Sequence, residues 1–310
     1  MKRDPKPIRI EGAFADREQI RAMFDRYAPY RALASYAPEG TKDEIQPAAQ
    51  RPALPWFRGD WALGGEPLVE GAELILHNRN FVEAAKAAFG TPLVYPEFVA
   101  VNINGPGPAG NIHLDNPSFF GATRGDFPLP FLRVMGYSRL FESWRVLRAS
   151  TLCWFYEGAG GSFDYWPVGL DGPMRTEQPP FGNVALCADT DRMYHRIGAI
   201  GDDDAELPQM SASAMIQPDG GGSWTILEDG EVRATYASRA IRFSVLWKAE
   251  VRNGGPRPEK LTLDRIMEIF TADLRHRSVD FEVPSDPLAG LSWILLLQRI
   301  YAPPTATPSG

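Results

Sequence analysis

The stretch Gly110-Asn111-Ile112-His113-Leu114-Asp115-Asn116-Pro117 constrains the fold more than any other part of the sequence. Successive side chains along a strand point to opposite faces, so His113 and Asp115 share one face and can bind one ion. The best candidate for a third ligand is His195, which is far enough downstream to return on a neighbouring strand. Two imidazoles and one carboxylate on one side of an ion leave its other positions open, which suits non-haem Fe(II) and oxygen chemistry.

The histidine content leaves few other ligand sets, because the chain has 4 histidines. His276 lies in a charged, helix-like stretch and His77 stands among polar residues, so surface positions are expected for both. A bare His-x-Asp pair would recur by chance in many proteins. A structural hydrogen bond between His113 and Asp115 is therefore the alternative to metal binding.

Length and composition predict one large domain. The chain has 310 residues, of which 44% are hydrophobic, enough to bury a sizeable core. We expect a single domain over residues 1–310. It comprises an N-terminal helical and loop region (about 1–92), a core (about 93–251) and C-terminal helices (about 260–302).

The charge and cysteine content exclude several classes of protein. A net charge of -7, without a basic cluster, argues against nucleic-acid binding. Cys153 and Cys187 are too few for a disulfide framework and lie in apolar runs, which predicts buried thiols and a cytoplasmic protein. The polar N-terminus predicts no signal peptide.

The most apolar helix-like run, residues 288–301, is shorter than the roughly 20 residues that span a bilayer. It therefore predicts no membrane association. A docked helix, or a homodimer formed through the C-terminal helices, is expected instead.

Periodicity along the chain predicts a mainly β core with flanking helices. The predicted helices cover about residues 15–27, 81–89, 137–148, 263–276 and 288–301. The predicted strands cover about residues 93–95, 98–103, 151–156, 162–166, 184–188, 224–227, 232–236 and 240–251. Short strands separated by Gly and Pro turns indicate an α+β chain whose core is an antiparallel double-sheet roll (a jelly roll) of the cupin kind.

Residues 36–66 are rich in proline, glycine and charge, which predicts a long ordered loop. Its aromatic residues either fix the loop to the core or line the entrance of a site. Along the predicted strand at about 98–103 and its end, alternation puts Asn102 and Asn104 on one face, which indicates either a polar pocket or a solvated strand end.

A second chemical signal lies on the last long strand, where Arg242 and Ser244 share a face. An arginine directed into an apolar roll needs an anionic partner, because a buried unpaired charge is very costly. Its planar fork suits a carboxylate. An internal salt bridge to Asp or Glu is the alternative.

These motifs together resemble the Fe(II)- and 2-oxoglutarate-dependent dioxygenases over roughly residues 93–250. The resemblance rests on five motifs in this order: His113-x-Asp115, Gly160-Gly161-Ser162-Phe163-x-x-Trp166-Pro167, Pro180-x-Gly182-Asn183, Met193-Tyr194-His195-Arg196 and Arg242-x-Ser244. It implies a double-stranded β-helix with iron held by His113, Asp115 and His195. It also implies that Arg242 and Ser244 bind the far carboxylate of 2-oxoglutarate, and Asn102 is expected to line the same cosubstrate site.

One feature departs from the family pattern. Arg242 follows His195 by 47 positions, which is longer than the family's usual gap and predicts an insertion at about residues 198–236. Arg196, Arg233 and Arg239 are therefore alternative anchors. The carboxylate at Asp115, where halogenating relatives carry a small residue, argues against halide binding.

The sequence thus predicts an oxygenase that uses Fe(II), 2-oxoglutarate and O2 to oxidise an unactivated C–H bond of a small molecule. Hydroxylation, desaturation and oxidative cyclisation remain open. Residues 116–132 and 198–222 are expected to flank the substrate, the second stretch as a lid. The alternatives are a cosubstrate-independent iron oxidase, a metal hydrolase, and a cupin-like binding protein without turnover.

Overall fold

The computed structural model describes residues 5–36, 55–201, 207–208 and 210–302. Its strands are β1 (Ile8–Glu11), β2 (Tyr30–Ala32), β3 (Trp56–Leu63), β4 (Glu66–Pro67), β5 (Leu93–Asn104), β6 (Leu147–Phe155), β7 (Phe163–Trp166), β8 (Arg175–Glu177), β9 (Val184–Ala188), β10 (Tyr194–Ile197), β11 (Met215–Pro218), β12 (Ser223–Glu228), β13 (Glu231–Ala237) and β14 (Arg242–Arg252). Its helices are α1 (Arg17–Arg26), α2 (Glu73–Leu76), α3 (Arg79–Phe89), α4 (Leu129–Ser138), α5 (Leu263–His276) and α6 (Leu291–Tyr301).

Most strands join one large sheet with the order β1-β9-β6-β14-β5-β3-β2-β11-β12-β13, and β4 pairs with β3. The pairing of β14 with β5 is antiparallel and sets Arg242 opposite Asn104 and Ser244 opposite Asn102. A smaller sheet has the order β10-β7-β8. The prediction of a mainly β chain with a large antiparallel sheet and a few helices is confirmed.

The two faces of β14 have different chemistry because side chains alternate along a strand. On one face, Phe243 lies 5.1 Å from Phe24 of α1, and Trp247 lies 5.9 Å from Phe81 of α3, measured between ring centroids. Helices α1 and α3 therefore cover this face. Arg242 lies on the opposite face, where its guanidinium approaches the turn before β7.

Local signals explain where these two helices begin and end. The Asp16 carboxylate caps α1 by accepting the Gln19 backbone N–H at 2.9 Å, and Asn78 caps α3 in the same way. Gly90 ends α3 in the left-handed conformation, with φ of 65°. The predictions of these two helices agree with the structure within a few residues.

The helix predicted at 137–148 is wrong. The helix in this region is α4, and it ends at Ser138 because Arg139 adopts a left-handed conformation with φ of 56°. A short 3-10 turn follows at Glu142–Trp144, and β6 begins at Leu147. The apolar residues of this stretch belong to the end of one helix and the start of a strand.

The long loop predicted at 36–66 is wrong over Trp56–Leu63, because this segment is β3, paired with β5 and β2. Phe57 and Trp61 are fully buried, so these aromatic residues fix the segment to the core. Residues 37–54 lie outside the described part of the chain.

The predicted insertion at 198–236 contains β11 and β12 and most of β13. These strands form an antiparallel meander that extends the large sheet beyond β2. The segment that we predicted as a lid, 198–222, therefore includes a strand, β11, held by partners on both sides. Its acidic run at 202–204 lies outside the described residues.

The chain divides into two compact units. One comprises Met1–Leu114 and Arg148–Asn253, and the other comprises Asp115–Leu147 and Gly254–Gly310. The second unit has its own apolar core, in which Phe270 of α5 packs against Phe131, Phe141 and Tyr301 with ring centroids 5.0 to 6.0 Å apart. Among the described residues, no helix is long and apolar enough to cross a membrane.

Both cysteines are unpaired and buried, as predicted. Burial raises the pKa of the Cys153 thiol to about 12 and that of the Cys187 thiol to about 11. Since the thiolate is the reactive form, neither side chain is suited to nucleophilic or redox chemistry.

Replacing Phe270 with alanine should lower the free energy of unfolding of the second unit by about 3–5 kcal/mol, because it leaves a cavity among three aromatic rings. Val283→Ala, in the loop between α5 and α6, is the matched control. Val283 is 55% exposed, so its truncation should change stability by no more than about 0.5 kcal/mol. Urea unfolding followed by circular dichroism measures both, and equal shifts for the two variants would contradict the assigned core.

Candidate metal centre

Backbone hydrogen bonds place the His-x-Asp segment beside β10. The amide of His113 donates to the carbonyl of His195, and the amide of His195 donates to the carbonyl of His113, both at 3.0 Å. Gly110 donates to Ile197, and Gly107 and Ile200 exchange a second reciprocal pair at 2.9 Å. Residues 107–113 therefore run antiparallel to β10 as an irregular edge of the small sheet.

This pairing brings the predicted ligands together. The two imidazole rings lie 4.4 Å apart between centroids. One ligand atom from each of His113, Asp115 and His195 falls within 4.8 Å of the others, a separation that a single ion can bridge. His195 is 5% exposed, whereas His113 and Asp115 are half-buried, so the cluster is open on one side.

The hydrogen bonds of the two imidazoles define which nitrogen can bind a metal. Nδ1 of His113 lies 2.9 Å from the Asn111 carbonyl, and Nδ1 of His195 lies 2.9 Å from the Met193 carbonyl. A carbonyl can only accept, so each Nδ1 carries the hydrogen and the lone pair of the neutral ring is on Nε2. Fixing the ring through the nitrogen that does not bind is the usual second-layer arrangement of a metal-binding histidine.

Arg242 is buried without a carboxylate partner among the described residues. The side chain is 1% exposed, and its Nε donates to the Gly161 carbonyl at 2.7 Å. Its guanidinium carbon lies 5.7 Å from the centre of the Phe181 ring. Nη2 has no hydrogen-bond partner in the described part of the chain. Burial lowers the pKa of Arg242 to about 9, which leaves the group positively charged at neutral pH.

The three alternative arginines have different surroundings. Arg196 donates through Nε to Asp164 at 3.0 Å, and Arg233 donates to Glu228 at 2.9 Å. Arg239 is exposed on a short 3-10 turn. Of these four candidates, Arg242 is therefore the one that combines burial with an unsatisfied donor.

The predicted neighbours of Arg242 lie on the same face of the large sheet. Ser244, two residues after Arg242 on β14, is buried, and Asn102 lies opposite Ser244 on β5. The Asn102 amide oxygen accepts a hydrogen bond from Trp56 Nε1 at 2.9 Å. Asn104, opposite Arg242, is fully buried, and neither atom of its amide has a partner among the described residues.

Sequence reasoning missed the aromatic wall of this region. Trp154 of β6 stacks on Phe181 at 4.8 Å and lies 5.4 Å from Phe163, whose ring is in turn 5.4 Å from the imidazole of His195. This series of contacts connects the metal ligands to the surroundings of Arg242. Alternation on β6 could have indicated that Trp154 is buried, but its partners come from distant parts of the chain.

The Gly160-Gly161 turn before β7 needs glycine at position 161 to make its contact with Arg242. Its φ is +70°, and a Cβ atom there would lie 2.7 Å from the Tyr156 ring and 3.2 Å from Cδ of Arg242. Only glycine allows its carbonyl to approach the guanidinium so closely.

The two histidines outside the candidate site, His77 and His276, are exposed, as expected.

No family model matches the chain, and no curated protein sequence matches it either. Solved structures similar to it include an oxidoreductase of the 2OG-Fe(II) oxygenase family from Burkholderia pseudomallei, with 13% identity, a TM-score of 0.41, and coverage of 81% of this chain and 87% of that one. A prolyl-4-hydroxylase from Pseudomonas putida has 11% identity, a TM-score of 0.40, and coverage of 80% and 94%. HygX from Streptomyces hygroscopicus, with nickel, 2-oxoglutarate and hygromycin B bound, has 9% identity, a TM-score of 0.40, and coverage of 84% and 90%.

Asp115→Ala and His195→Ala should each prevent iron retention while leaving the fold largely intact, because the cluster is open on one side and each change removes one of three ligands. Metal analysis after anaerobic reconstitution with Fe(II) and desalting measures the loss, and circular dichroism checks the fold. His276→Ala, at the exposed end of α5, should retain iron like the parent. Full occupancy in either site variant would mean that the ligands are misassigned.

Proposed function

We propose that the chain is an Fe(II)- and 2-oxoglutarate-dependent oxygenase that oxidises an unactivated C–H bond of a small molecule. The observation that carries this proposal is the buried guanidinium of Arg242, which has an unsatisfied Nη2. The ring contacts of Phe181, Trp154 and Phe163 connect it to His195, one of the three candidate ligands. The solved structures that the chain resembles agree with this class, although the proposal rests on the side chains of the site.

The metal cluster alone would fit other chemistries. Two histidines and a carboxylate can also hold the metal of a hydrolase or of an oxidase that needs no organic cosubstrate. Neither alternative explains a buried cation without a carboxylate partner. An isolated buried charge is strongly disfavoured, so its presence indicates an anionic ligand that arrives from solution.

The contacts of Arg242 indicate how it would bind that ligand. Because Nε donates to the Gly161 carbonyl, a carboxylate would be bound by the two terminal nitrogens. Ser244, two residues along β14 on the same face, would offer a hydroxyl beside these two nitrogens. Asn102 is proposed to line the same site through its amide NH2 group, since its oxygen accepts from Trp56.

The donor set also fits iron. The hydrogen bonds at Nδ1 direct the lone pair of each imidazole to Nε2, and Asp115 adds one negative charge. When bound, iron, 2-oxoglutarate and O2 would supply the oxidising chemistry: one oxygen atom of O2 would go to the cosubstrate, which leaves as succinate and CO2, and the other would oxidise the substrate. The residues of this chain orient the ligands, hold the distal carboxylate, and exclude water with the aromatic wall of Phe163, Trp154 and Phe181.

We place the sheets in a double-stranded β-helix, and assign residues 1–310 to one oxygenase domain in the cytoplasm. The two exposed leucines of α6, Leu291 and Leu295, lie one turn apart and would be covered in the homodimer predicted through the C-terminal helices.

Replacing Arg242 with glutamine should weaken 2-oxoglutarate binding by roughly 1.5 to 3 kcal/mol, the scale of a hydrogen bond to a charged group. Calorimetric titration of the metal-loaded protein measures this change. Iron retention should be unaffected because Arg242 is not a ligand. The melting temperature should stay level or rise, because the substitution removes a buried charge that has no carboxylate partner among the described residues.

Arg239→Gln is the matched control, three positions away on an exposed turn, and it should bind 2-oxoglutarate like the parent. If the Arg242→Gln variant is folded, retains iron and binds 2-oxoglutarate as tightly as the parent, another residue binds the distal carboxylate. A parent protein that binds metal but no 2-oxoglutarate would instead favour the hydrolase or the cosubstrate-independent oxidase.

A further inference from the structure

Asn104 is the most unusual polar side chain of the large sheet. It is 0% exposed, and both Oδ1 and Nδ2 lack hydrogen-bond partners among the described residues. Most buried polar groups in native proteins are paired, so each exception calls for an explanation. Two other asparagines of this chain follow the rule, since Asn102 accepts from Trp56, and Asn183 bonds both the amide and the carbonyl of Phe14.

The position of Asn104 indicates what its amide is for. It is the last residue of β5 and lies directly opposite Arg242 on β14. Opposite residues of an antiparallel pair point to the same face, with Cβ atoms about 4.5–5.5 Å apart. The side chains of Asn104 and Arg242 therefore start from neighbouring positions on one face of the sheet, and each carries buried polar atoms without a partner among the described residues.

We infer that the side-chain amide of Asn104 is a second binding group for the distal carboxylate of 2-oxoglutarate, beside Arg242. This inference rests on the proposed function. A carboxylate offers about four lone-pair sites, so it can accept from Nδ2 of Asn104 and from the terminal nitrogens of Arg242 together. A neutral amide adds a donor without repelling the guanidinium. An aspartate at this position would pair with Arg242 and compete with the cosubstrate.

Asn104→Leu tests the inference because leucine has a similar branched shape and no polar atoms. The Ni(II)-loaded full-length chain is titrated with 2-oxoglutarate and with 2-oxopentanoate, in which a methyl group replaces the distal carboxylate. The variant should bind 2-oxoglutarate about tenfold to a hundredfold more weakly than the parent. Its affinity for 2-oxopentanoate should equal that of the parent, and its melting temperature without ligand should be level or higher.

Asn183→Ala is the matched control. It removes an asparagine whose two hydrogen bonds are made within the protein, so it should lower the melting temperature and leave the affinity for 2-oxoglutarate unchanged. Asn104→Asp is the second variant. It should raise the melting temperature by pairing with Arg242 and should weaken 2-oxoglutarate binding further than leucine does. This variant keeps the test valid if the leucine variant does not fold.

The outcomes separate this inference from the proposed function. If the parent does not bind 2-oxoglutarate, both the proposed function and the inference about Asn104 are wrong. If the parent binds it and Asn104→Leu binds it equally well with a lower melting temperature, Asn104 is a structural residue satisfied by buried water, and only the inference is overturned. An equal loss of affinity for both ligands would also overturn it, because the effect would not involve the distal carboxylate.

Discussion

The reciprocal backbone pair between His113 and His195 is the interaction on which the site depends. It joins the loop after β5 to β10, two segments that are far apart in the sequence, and so brings the two imidazoles to 4.4 Å between ring centroids. Each ring is then fixed by the carbonyl two residues before it, a contact that depends only on the local backbone. The long-range pairing supplies proximity, and the local hydrogen bonds supply orientation.

The second constraint is the alternation of side chains on β14, which separates two kinds of core. Phe243 and Trp247 direct apolar rings toward α1 and α3, whereas Arg242 lies on the face that carries Asn104. Buried polar groups without hydrogen-bond partners destabilise the folded state. Native proteins retain them mainly at functional sites. Arg242 and Asn104 set two such groups at opposite positions of β14 and β5, on the face where Arg242 approaches the Gly161 carbonyl.

Strong periodicity predicted much of the fold, and irregular composition concealed the rest. Strand β9 and helix α5 have the predicted bounds, because their apolar positions follow one period without interruption. Strand β3 was missed because glycine, proline and charged residues surround its buried aromatics. This omission affected the site, since Trp56 of β3 is the residue that satisfies Asn102. Alternation puts Asn102 and Asn104 on the same face and cannot show that their amides differ.

The spacing between His195 and Arg242 shows why register is a better guide than sequence distance. The intervening segment contains β11, β12 and β13, which extend the large sheet at the edge beyond β2. Strand β14 instead lies between β6 and β5, and its register with β5 sets Arg242 against Asn104. An insertion that leaves and rejoins the sheet in this way changes the number of residues between two site strands without moving either strand. The long spacing therefore does not weaken the assignment of Arg242, because the distance between side chains is set by the pairing partner of each strand.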